Sequence, residues 1–305
     1  MCCLFGFIDY TGSLSVTQKN RLIRELSIAA EARGTDATGI AYNTSRGLQI
    51  YKRPLAAYRL HLRIPAEARV VLGHTRMTTQ GSAKRNYNNH PFFGHVKGES
   101  FALAHNGTIW NDLELRRTKH LPRTKVQTDS YIAVQLIERQ NALNLSSLKC
   151  MAEQVEGSFS FSVLSEQDDL WLIKGDNPLT IVHFPKAGVY AYASTAEILN
   201  KASARCGNWL GRGEKVDIAM GDIVKIDSRG RITRGAFDAS KFYRSSWGYW
   251  DTPLYPKAPH SEEEHLALLK SVAKAFGFTS EMIDRLLDQG FTTMEIEELL
   301  YDGGY

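Results

Sequence analysis

The chain has 305 residues, of which 43% are hydrophobic and 23% are charged, and its formal net charge is +4 at pH 7. This composition is typical of a globular protein with one large domain and a small appendage, and so weak a charge does not indicate a nucleic-acid partner. No apolar run reaches about 18 residues, no leader pattern is visible, and four cysteines make no disulfide framework, so we expect free thiols, a cytoplasmic location and no membrane partner.

Residues 3–8 are apolar and aromatic, and they predict a short buried strand directly after Cys2. Removal of Met1 leaves Cys2 with a thiol and a free amine on one residue. The amine titrates near ~7.7–8.0 and the thiol near ~8.5 in peptides, so the amine can accept the thiol proton. The alternative is a buried cysteine that packs as a small hydrophobe. Metal binding is not favoured, because Cys150 and Cys206 are isolated in the sequence.

An amphipathic helix and a hairpin follow this strand. Ser15 and Gln18 have the capping-box spacing, and apolar residues then recur at helical intervals until Gly34. Residues 38–42 and 48–51 flank a polar turn that contains a glycine, and they predict a hairpin with a longer loop.

Two further predicted strands, residues 68–73 and 100–104, each run into a polar cluster, residues 74–76 and 105–107. Polar groups at strand ends are where rigid scaffolds usually present chemistry. A helix is predicted over residues 129–140. A second set of short strands is expected after it, at residues 158–164, 169–174, 189–193 and 222–226.

The composition changes near residue 237. Residues 2–237 therefore form the predicted main domain. Residues 238–260 are rich in aromatics, serine and proline without periodicity, and we interpret them as a linker. Residues 261–305 have a helical pattern throughout and predict a small three-helix unit.

Five motifs occur in order along the first part of the chain. They are residues 2–6 (CCLFG), 33–39 (RGTDATG), 73–81 (GHTRMTTQG), 89–92 (NHPF) and 105–111 (HNGTIWN), with 128–130 (TDS) after them. This series resembles the glutaminase domain of class II glutamine amidotransferases, which are N-terminal-nucleophile hydrolases. The resemblance is strongest over residues 2–130 and continues more weakly through residues 174–179 and 193–199. It implies an α+β fold, a four-layer αββα sandwich with Cys2 at the start of a central strand, and no cofactor or metal.

The resemblance also implies hydrolysis of the side-chain amide of L-glutamine to glutamate and ammonia, through a thioester on Cys2. Attack on an amide creates a tetrahedral oxyanion that needs donors aimed at the developing charge. The Asn106 side chain and the Gly107 backbone N–H fill these places by resemblance. An Asn-Gly dipeptide alone is equally typical of a turn between two strands.

A free amino acid must be held at its α-carboxylate and its α-ammonium group. By resemblance Arg76 takes the carboxylate, assisted by Thr79 and Gln80, and Asp129 takes the ammonium group; a planar guanidinium suits a carboxylate. The alternatives are a surface arginine and an aspartate that caps a helix. The family often has tryptophan where Met77 stands and has histidine where Gln80 stands in some members, so the glutamine contacts of this chain remain open.

The remaining polar features are interpreted as structural. The segment 33–39 is expected to order the strand beside Cys2. The amine of Cys2 already supplies a base, so His74, His90 and His105 are expected to be structural. The basic run at residues 116–125 is interpreted as a solvated loop rather than a nucleic-acid site.

Roughly 70 residues follow residue 237, too few for a synthetase or transferase domain. We therefore expect ammonia to be delivered to a separate acceptor enzyme that docks through residues 238–305. The alternative for this tail is a helical cap that packs on its own domain. Two other functions stay open: hydrolysis of γ-glutamyl conjugates, and a non-catalytic glutamine-binding or scaffold role.

Overall fold

A computed structural model describes residues 2–242 and 279–289, together with residues 266, 270, 273, 291, 293 and 296. The chain divides into two compact units, residues 1–242 and 243–305. No helix in the described part of the chain is long and apolar enough to cross a membrane.

The first unit contains thirteen strands and five α-helices among its described residues. The strands are β1 (Cys3–Asp9), β2 (Ala37–Thr44), β3 (Gly47–Arg53), β4 (Val70–Arg76), β5 (Phe92–Val96), β6 (Glu99–Ile109), β7 (Gly157–Ser165), β8 (Leu170–Lys174), β9 (Thr180–Phe184), β10 (Val189–Ala193), β11 (Glu214–Val216), β12 (Asp222–Ile226) and β13 (Ile232–Ala236). The helices are α1 (Val16–Ala30), α2 (Asp112–Thr118), α3 (Tyr131–Gln140), α4 (Leu145–Gln154) and α5 (Ala196–Cys206).

The strands form two antiparallel sheets. One has seven strands in the order β11-β9-β10-β1-β4-β2-β3, and the other has six in the order β13-β12-β8-β7-β6-β5. β1 lies between β10 and β4, with Phe5 opposite both Ala193 and Gly73. The first strand of the chain is therefore central in its sheet.

Side-chain alternation along β1 divides the hydrophobic core into layers. Phe5 and Phe7 point to one face of the seven-stranded sheet and pack with α1 and α5, whereas Leu4 and Ile8 lie in the apolar layer between the two sheets. A third cluster fills the space between the six-stranded sheet and helices α3 and α4. The four layers are thus helix, sheet, sheet and helix, which confirms the predicted αββα sandwich.

Local sequence explains how α1 begins. The Ser15 side chain accepts a hydrogen bond from the Gln18 backbone N–H, and the Gln18 side chain accepts one from the Ser15 N–H. This is the predicted capping box. The helix ends at Ala30, and a 3-10 turn (Glu31–Arg33) carries the chain to Gly34.

The β2–β3 connection is shorter than predicted. Thr44 pairs with Gly47, so only Ser45 and Arg46 turn the chain, and the predicted longer loop is wrong. Gly47 has a φ of 91°, a conformation that L side chains rarely adopt, so it ends the turn within one residue.

The first unit extends to Phe242, beyond the predicted boundary at residue 237. Phe237 and Phe242 both pack on Phe159, with ring centroids 5.9 and 5.1 Å away, and so join the core beside the six-stranded sheet.

The second unit is described only in part. Helix α6 (Ser280–Asp288) begins at Thr279, whose side chain accepts a hydrogen bond from the Met282 backbone N–H. Ile283 packs with Ala273 and Ile296 in a small apolar cluster. Residues 243–260 of the predicted linker, and most of the predicted three-helix unit, lie outside the described residues.

Candidate active site

The site forms where strands from both sheets end near the amino terminus. Cys2 immediately precedes β1, and Arg76 is the last residue of β4, which pairs with β1 through Cys3 and Thr75. The Cys2 thiol donates a hydrogen bond of 3.4 Å to the Met77 carbonyl. Arg33 Nε donates to the Cys2 carbonyl at 3.1 Å. The thiol therefore lies beside the residues that follow β4.

Burial of Cys2 raises the pKa of its thiol above the ordinary value, although a backbone hydrogen bond at Met77 and the charge of Arg76 act in the opposite direction. At neutral pH the thiol is consequently protonated. A nucleophilic role then requires a base that removes this proton as the thiol reacts.

Asn106 and Gly107 lie within β6, not in a turn. β6 pairs with β7 from Phe101 to Ile109, with Asn106 opposite Ser160. The interpretation of this dipeptide as a turn between two strands is therefore wrong: both residues are inner members of a long ladder. Asn106 is 1% exposed, so its amide is fixed by its surroundings.

Ser194 joins the strand that follows Cys2 to Asn106. The Ser194 hydroxyl accepts a hydrogen bond from the Leu4 backbone N–H at 2.9 Å, and Asn106 Nδ2 donates to the same oxygen at 3.4 Å. The Ser194 N–H also donates to the Leu4 carbonyl at 2.9 Å. One hydroxyl therefore holds the start of β1 against the Asn106 amide.

Gly107 must be glycine for two reasons. Its φ is 141°, and a Cβ at this position would lie 1.8 Å from the Ser158 carbonyl oxygen and 2.7 Å from the Asn177 side-chain nitrogen. Any side chain would push β6 and β7 apart. Glycine thus allows the backbone of β6 to come close to its neighbours beside Asn106.

Arg76 is buried, and three acceptors hold its guanidinium. It donates to Asn89 Oδ1 at 2.7 Å and to the carbonyls of Gln80 and Gly81 at 2.5 and 3.0 Å. The alternative of a surface arginine is therefore wrong, since the side chain is 3% exposed.

Residues 77–81 form the segment that follows Arg76. Thr79 and Gln80 are exposed on it, and Gln80 Oε1 accepts a hydrogen bond of 2.9 Å from the Asp129 backbone N–H. The Thr78 N–H donates to Asp36 Oδ2 at 2.7 Å. The segment is thus tied to the residues on both sides of it.

Asp129 does not cap helix α3 with its side chain. Its Oδ2 accepts from the Ile109 backbone N–H at 2.6 Å, and its Oδ1 accepts from the Ser130 hydroxyl at 3.3 Å. The cap residue of α3 is Ser130, which makes no side-chain cap bond. The carboxylate is instead turned toward the end of β6, two residues beyond Gly107.

The motif at residues 33–39 has the ordering role that the sequence predicted. A Cβ at Gly34 would lie 2.5 Å from the Arg76 carbonyl carbon, and the Asp36 N–H donates to the Arg76 carbonyl at 2.9 Å. Together with the Arg33 contact to Cys2, this segment fixes the backbone at Cys2 and Arg76.

The three histidines lie in a buried layer behind these groups. His74 Nε2 and the His105 carbonyl are 2.9 Å apart, His105 Nδ1 and the Ser130 hydroxyl are 2.8 Å apart, and the rings of His74 and His90 have centroids 4.1 Å apart. Burial lowers the pKa of His74 to about 3 and also lowers the pKa of His90 and His105. Imidazoles with such low basicity are poor proton acceptors, consistent with the structural role predicted for them.

Several residues of the site carried no signal in the sequence. Ser194 and Asn89 lie inside motifs that were noted, but no pattern assigned a contact to their side chains. Lys52, whose ammonium group contacts the Asn89 backbone, was missed altogether. Ser194 contacts Leu4 across 190 residues, Lys52 contacts Asn89 across 37, and Asn89 contacts Arg76 across 13, so only the fold brings these groups together. In the described part of the chain, no cluster of three His, Cys, Asp or Glu side chains could hold a metal ion.

Comparison with known proteins gives a consistent result. A family model described as a glutamine amidotransferase domain matches residues 74–201. The glutamine–fructose-6-phosphate aminotransferase of Sulfurisphaera tokodaii is 30% identical over 195 residues, which cover 59% of this chain and 31% of that protein. The amidophosphoribosyltransferase of Methanothermobacter thermautotrophicus is 29% identical over 171 residues, which cover 52% of this chain and 35% of that protein. This chain thus spans about a third of the length of these curated relatives.

Solved structures show the same fold. The glutamine phosphoribosylpyrophosphate amidotransferase from B. subtilis superposes with a TM-score of 0.60 at 18% identity, over 78% of this chain and 49% of that chain. A structure titled as the allosteric regulatory enzyme of purine biosynthesis gives a TM-score of 0.63 at 18% identity, with the same coverage.

Proposed function

We propose that this chain contains a class II glutamine amidotransferase domain and hydrolyses the side-chain amide of L-glutamine with Cys2 as the nucleophile; the family model over residues 74–201 and the similarity to the aminotransferase of Sulfurisphaera tokodaii support this proposal. The observation that carries the proposal is the junction at Ser194, which holds the strand that follows Cys2 against the Asn106 amide. A nucleophile and an oxyanion donor are thereby fixed on neighbouring strands of different sheets.

The reaction proceeds in two halves. After removal of Met1, the α-amine of Cys2 takes the thiol proton as the sulfur attacks the side-chain carbonyl carbon of glutamine. The tetrahedral intermediate then collapses, the C–N bond breaks, and the nitrogen leaves as ammonia with the proton that the amine returns. Water attacks the remaining thioester, which releases glutamate and restores the thiol. Because burial raises the thiol pKa, this proton transfer to the amine is needed at neutral pH.

Two donors stabilise the oxyanion in this proposal. They are Asn106 Nδ2 and the Gly107 backbone N–H, on adjacent residues of β6. The Ser194 hydroxyl limits rotation of the Asn106 amide, so the donor is oriented before the charge develops.

The α-carboxylate of glutamine is assigned to Arg76. A guanidinium has five N–H donors, and the described contacts with Asn89, Gln80 and Gly81 use three of them. The other donors are available for a carboxylate. Thr79 and Gln80, on the adjoining exposed segment, assist this contact.

The α-ammonium group is assigned to Asp129. Its oxygens accept from the Ile109 N–H and the Ser130 hydroxyl, and a carboxylate has about four lone-pair sites. It can therefore receive an ammonium donor as well. Burial lowers the pKa of Arg76, and Asp129 lies close enough for its negative charge to act against this shift. A cation and an anion at this separation suit a ligand that carries both charges.

We further propose that the ammonia is passed to an acceptor site outside residues 2–242, and that residues 238–305 dock the acceptor enzyme. The curated relatives are named as an aminotransferase and an amidophosphoribosyltransferase, which supports transfer rather than release of ammonia. This chain spans about a third of their length. The acceptor is therefore proposed independently of the glutaminase site.

The decisive measurement is the release of glutamate and ammonia from L-glutamine by the purified protein, with intact mass used to verify loss of Met1. Cys2→Ala is expected to abolish turnover. Cys150→Ala, which changes a cysteine on helix α4, is the matched control and should retain wild-type turnover.

Turnover that persists in Cys2→Ala would overturn the assignment of the nucleophile. Absence of glutamine turnover by a processed wild-type protein, together with cleavage of γ-glutamyl conjugates, would replace glutamine by a conjugate as the substrate. Tight binding of glutamine without any turnover would favour a binding protein instead.

A further inference from the structure

Asn89 connects the arginine of the site to a segment between β4 and β5. Its Oδ1 accepts from Arg76 at 2.7 Å, while its Nδ2 donates to the Ala83 carbonyl at 2.8 Å and to Asn86 Oδ1 at 3.2 Å. Both ends of the Asn89 amide are thus in use. Its orientation, and with it the plane of the Arg76 guanidinium, depends on where this segment sits.

Lys52 on β3 holds that segment in place. Its ammonium group donates to the Asn89 carbonyl at 2.5 Å and to the Pro91 carbonyl at 2.8 Å, and its own carbonyl accepts from Asn86 Nδ2 at 2.9 Å. One residue therefore contacts the segment before, at and after Asn89.

The same segment packs directly on the backbone at Gly39. It pairs directly with Lys52 in the β2–β3 ladder, and a Cβ at Gly39 would lie 2.1 Å from the His90 carbonyl oxygen. The backbone at His90 thus packs against the β2–β3 hairpin at a position without a side chain. The Lys52 side chain bonds to the carbonyls on either side of His90.

Among the described residues, no carboxylate balances the charge of Lys52. No ion pair joins it to an acidic group within the described residues, and its ammonium group lies 5.0 Å from the centre of the Phe92 ring. Burial, together with the charge of Arg76, lowers the pKa of Lys52 to about 8. Lys52 is only partly exposed, and a partly buried cation beside a second cation costs free energy, which a role in holding the segment would offset.

We infer that Lys52 is a positioning residue for the carboxylate clamp: it fixes Asn89, and Asn89 fixes the Arg76 guanidinium that receives the α-carboxylate of glutamine. This inference rests on the proposed function. Without the ammonium group, two buried carbonyls lose their donors, the segment shifts, and Arg76 loses its orientation. The carboxylate is bound alike in the ground and transition states, so the loss falls on KM rather than kcat.

The test compares Lys52→Met with wild type in steady-state glutamine hydrolysis. The expected result is a rise of about tenfold in KM with kcat changed by less than about threefold. Lys52→Arg, which restores the cation and its donors, is expected to return KM to within about threefold of wild type. Lys97→Met is the matched control, because Lys97 is exposed in the turn between β5 and β6, at the end of β6 remote from Asn106.

A second variant keeps the inference testable even where Lys52→Met does not fold. Asn89→Ala should raise KM by a similar factor, and the double variant should be no worse than the worse single variant, because both changes break the same chain of contacts. Calorimetric titration with glutamate should show the same loss of affinity without any turnover.

Failure of the two proposals is distinguishable. A wild-type protein that neither hydrolyses nor binds glutamine overturns the proposed function. A wild-type protein that does so, with unchanged KM in folded Lys52→Met or Asn89→Ala, overturns the role of Lys52. A loss of kcat at constant KM, or an effect that Lys52→Arg does not reverse, would also overturn it.

Discussion

Asn106 is the single side chain on which the proposed stabilisation of the oxyanion depends. It is buried, it lies within a paired strand, and its amide nitrogen contacts the Ser194 hydroxyl. Preorganised donors of this kind act strongly because they need no rearrangement as the charge develops. A change at Asn106 should therefore affect the chemical step rather than the binding of glutamine.

Replacing Asn106 by alanine is expected to lower kcat by about 10²–10³-fold, which corresponds to about 2.7–4 kcal/mol. The affinity for glutamate, measured by calorimetry, should stay close to that of wild type, because Arg76 and Asp129 remain. Asn200→Ala, at an exposed position of helix α5, serves as the control. A kcat that falls less than about threefold would remove Asn106 from the oxyanion site.

The ordered motifs of the sequence predicted the charged and nucleophilic residues of the proposed site, and their roles stay predictions. The motifs did not predict their supports. Ser194 is separated from Leu4 by 190 residues and from Asn106 by 88, and no local pattern encodes such a contact. Lys52 is a lysine on a strand, which by itself is typical of a solvated side chain.

The ends of β4 and β6 are the elements on which the site is built. The sequence placed both strand ends before their polar clusters, because polar residues normally mark the limit of a buried strand. The structure continues β4 to Arg76 and β6 to Ile109, because neighbouring strands pair along the polar residues. His74 and Thr75 then find buried partners on other elements. Polar residues could remain in these strands only because tertiary contacts, invisible in the sequence, satisfy them.

The histidine layer links these same elements. His74 lies on β4, His105 lies on β6, and His90 precedes β5. All three are buried, and their pKa values are lowered by burial. Neither ring nitrogen of His90 has a hydrogen-bond partner among the described residues. The folded protein therefore holds neutral imidazoles that the unfolded chain would protonate in weak acid.

This arrangement predicts that the free energy of unfolding falls as the pH falls below about 6.5, the ordinary pKa of histidine. Between that value and the lowered pKa of the folded state, about 3 for His74, the unfolded chain binds more protons, so stability rises with pH in this window. His74 alone, with its pKa lowered to about 3, contributes a loss of about 1.4 kcal/mol between pH 7.5 and 5.5. Urea unfolding at the two pH values measures it.

Comparison of His90→Phe with wild type isolates the contribution of His90 to this pH dependence, because the two proteins share all other titrating groups. Because burial lowers the pKa of His90, the difference in unfolding free energy between pH 7.5 and 5.5 should shrink in this variant, with an upper limit of about 1.4 kcal/mol for one histidine. His61→Gln, at an exposed position, should leave the difference as in wild type. An unchanged pH dependence in His90→Phe would show that His90 can be protonated in the folded protein.

For the whole molecule, the hydrophobic cores separate along the chain. The three large clusters are built from residues up to Phe242, and a fourth small cluster is built from residues 266 to 296. The four-layer architecture followed from the resemblance of five motifs, since periodicity alone does not specify how two sheets stack. Residues 243–305 form a unit of their own in the structure. No motif of the candidate site lies in that unit.

Deletion of residues 259–305 is therefore expected to leave the proposed glutaminase site folded and active. Among the residues that the structure describes, the apolar clusters around Cys2, Arg76 and Asn106 are built from residues 2–242, so kcat and KM for glutamine should remain within about twofold of wild type. The midpoint of thermal unfolding, followed by circular dichroism, and ammonia release are the two measurements. Carrying Cys2→Ala in the truncated chain supplies the background rate.

If residues 238–305 dock the acceptor enzyme, the truncated protein should release ammonia freely yet fail to support transfer to the acceptor. A truncated chain that does not fold would instead make the tail part of the structural support of the main domain, and the docking role would have to be abandoned.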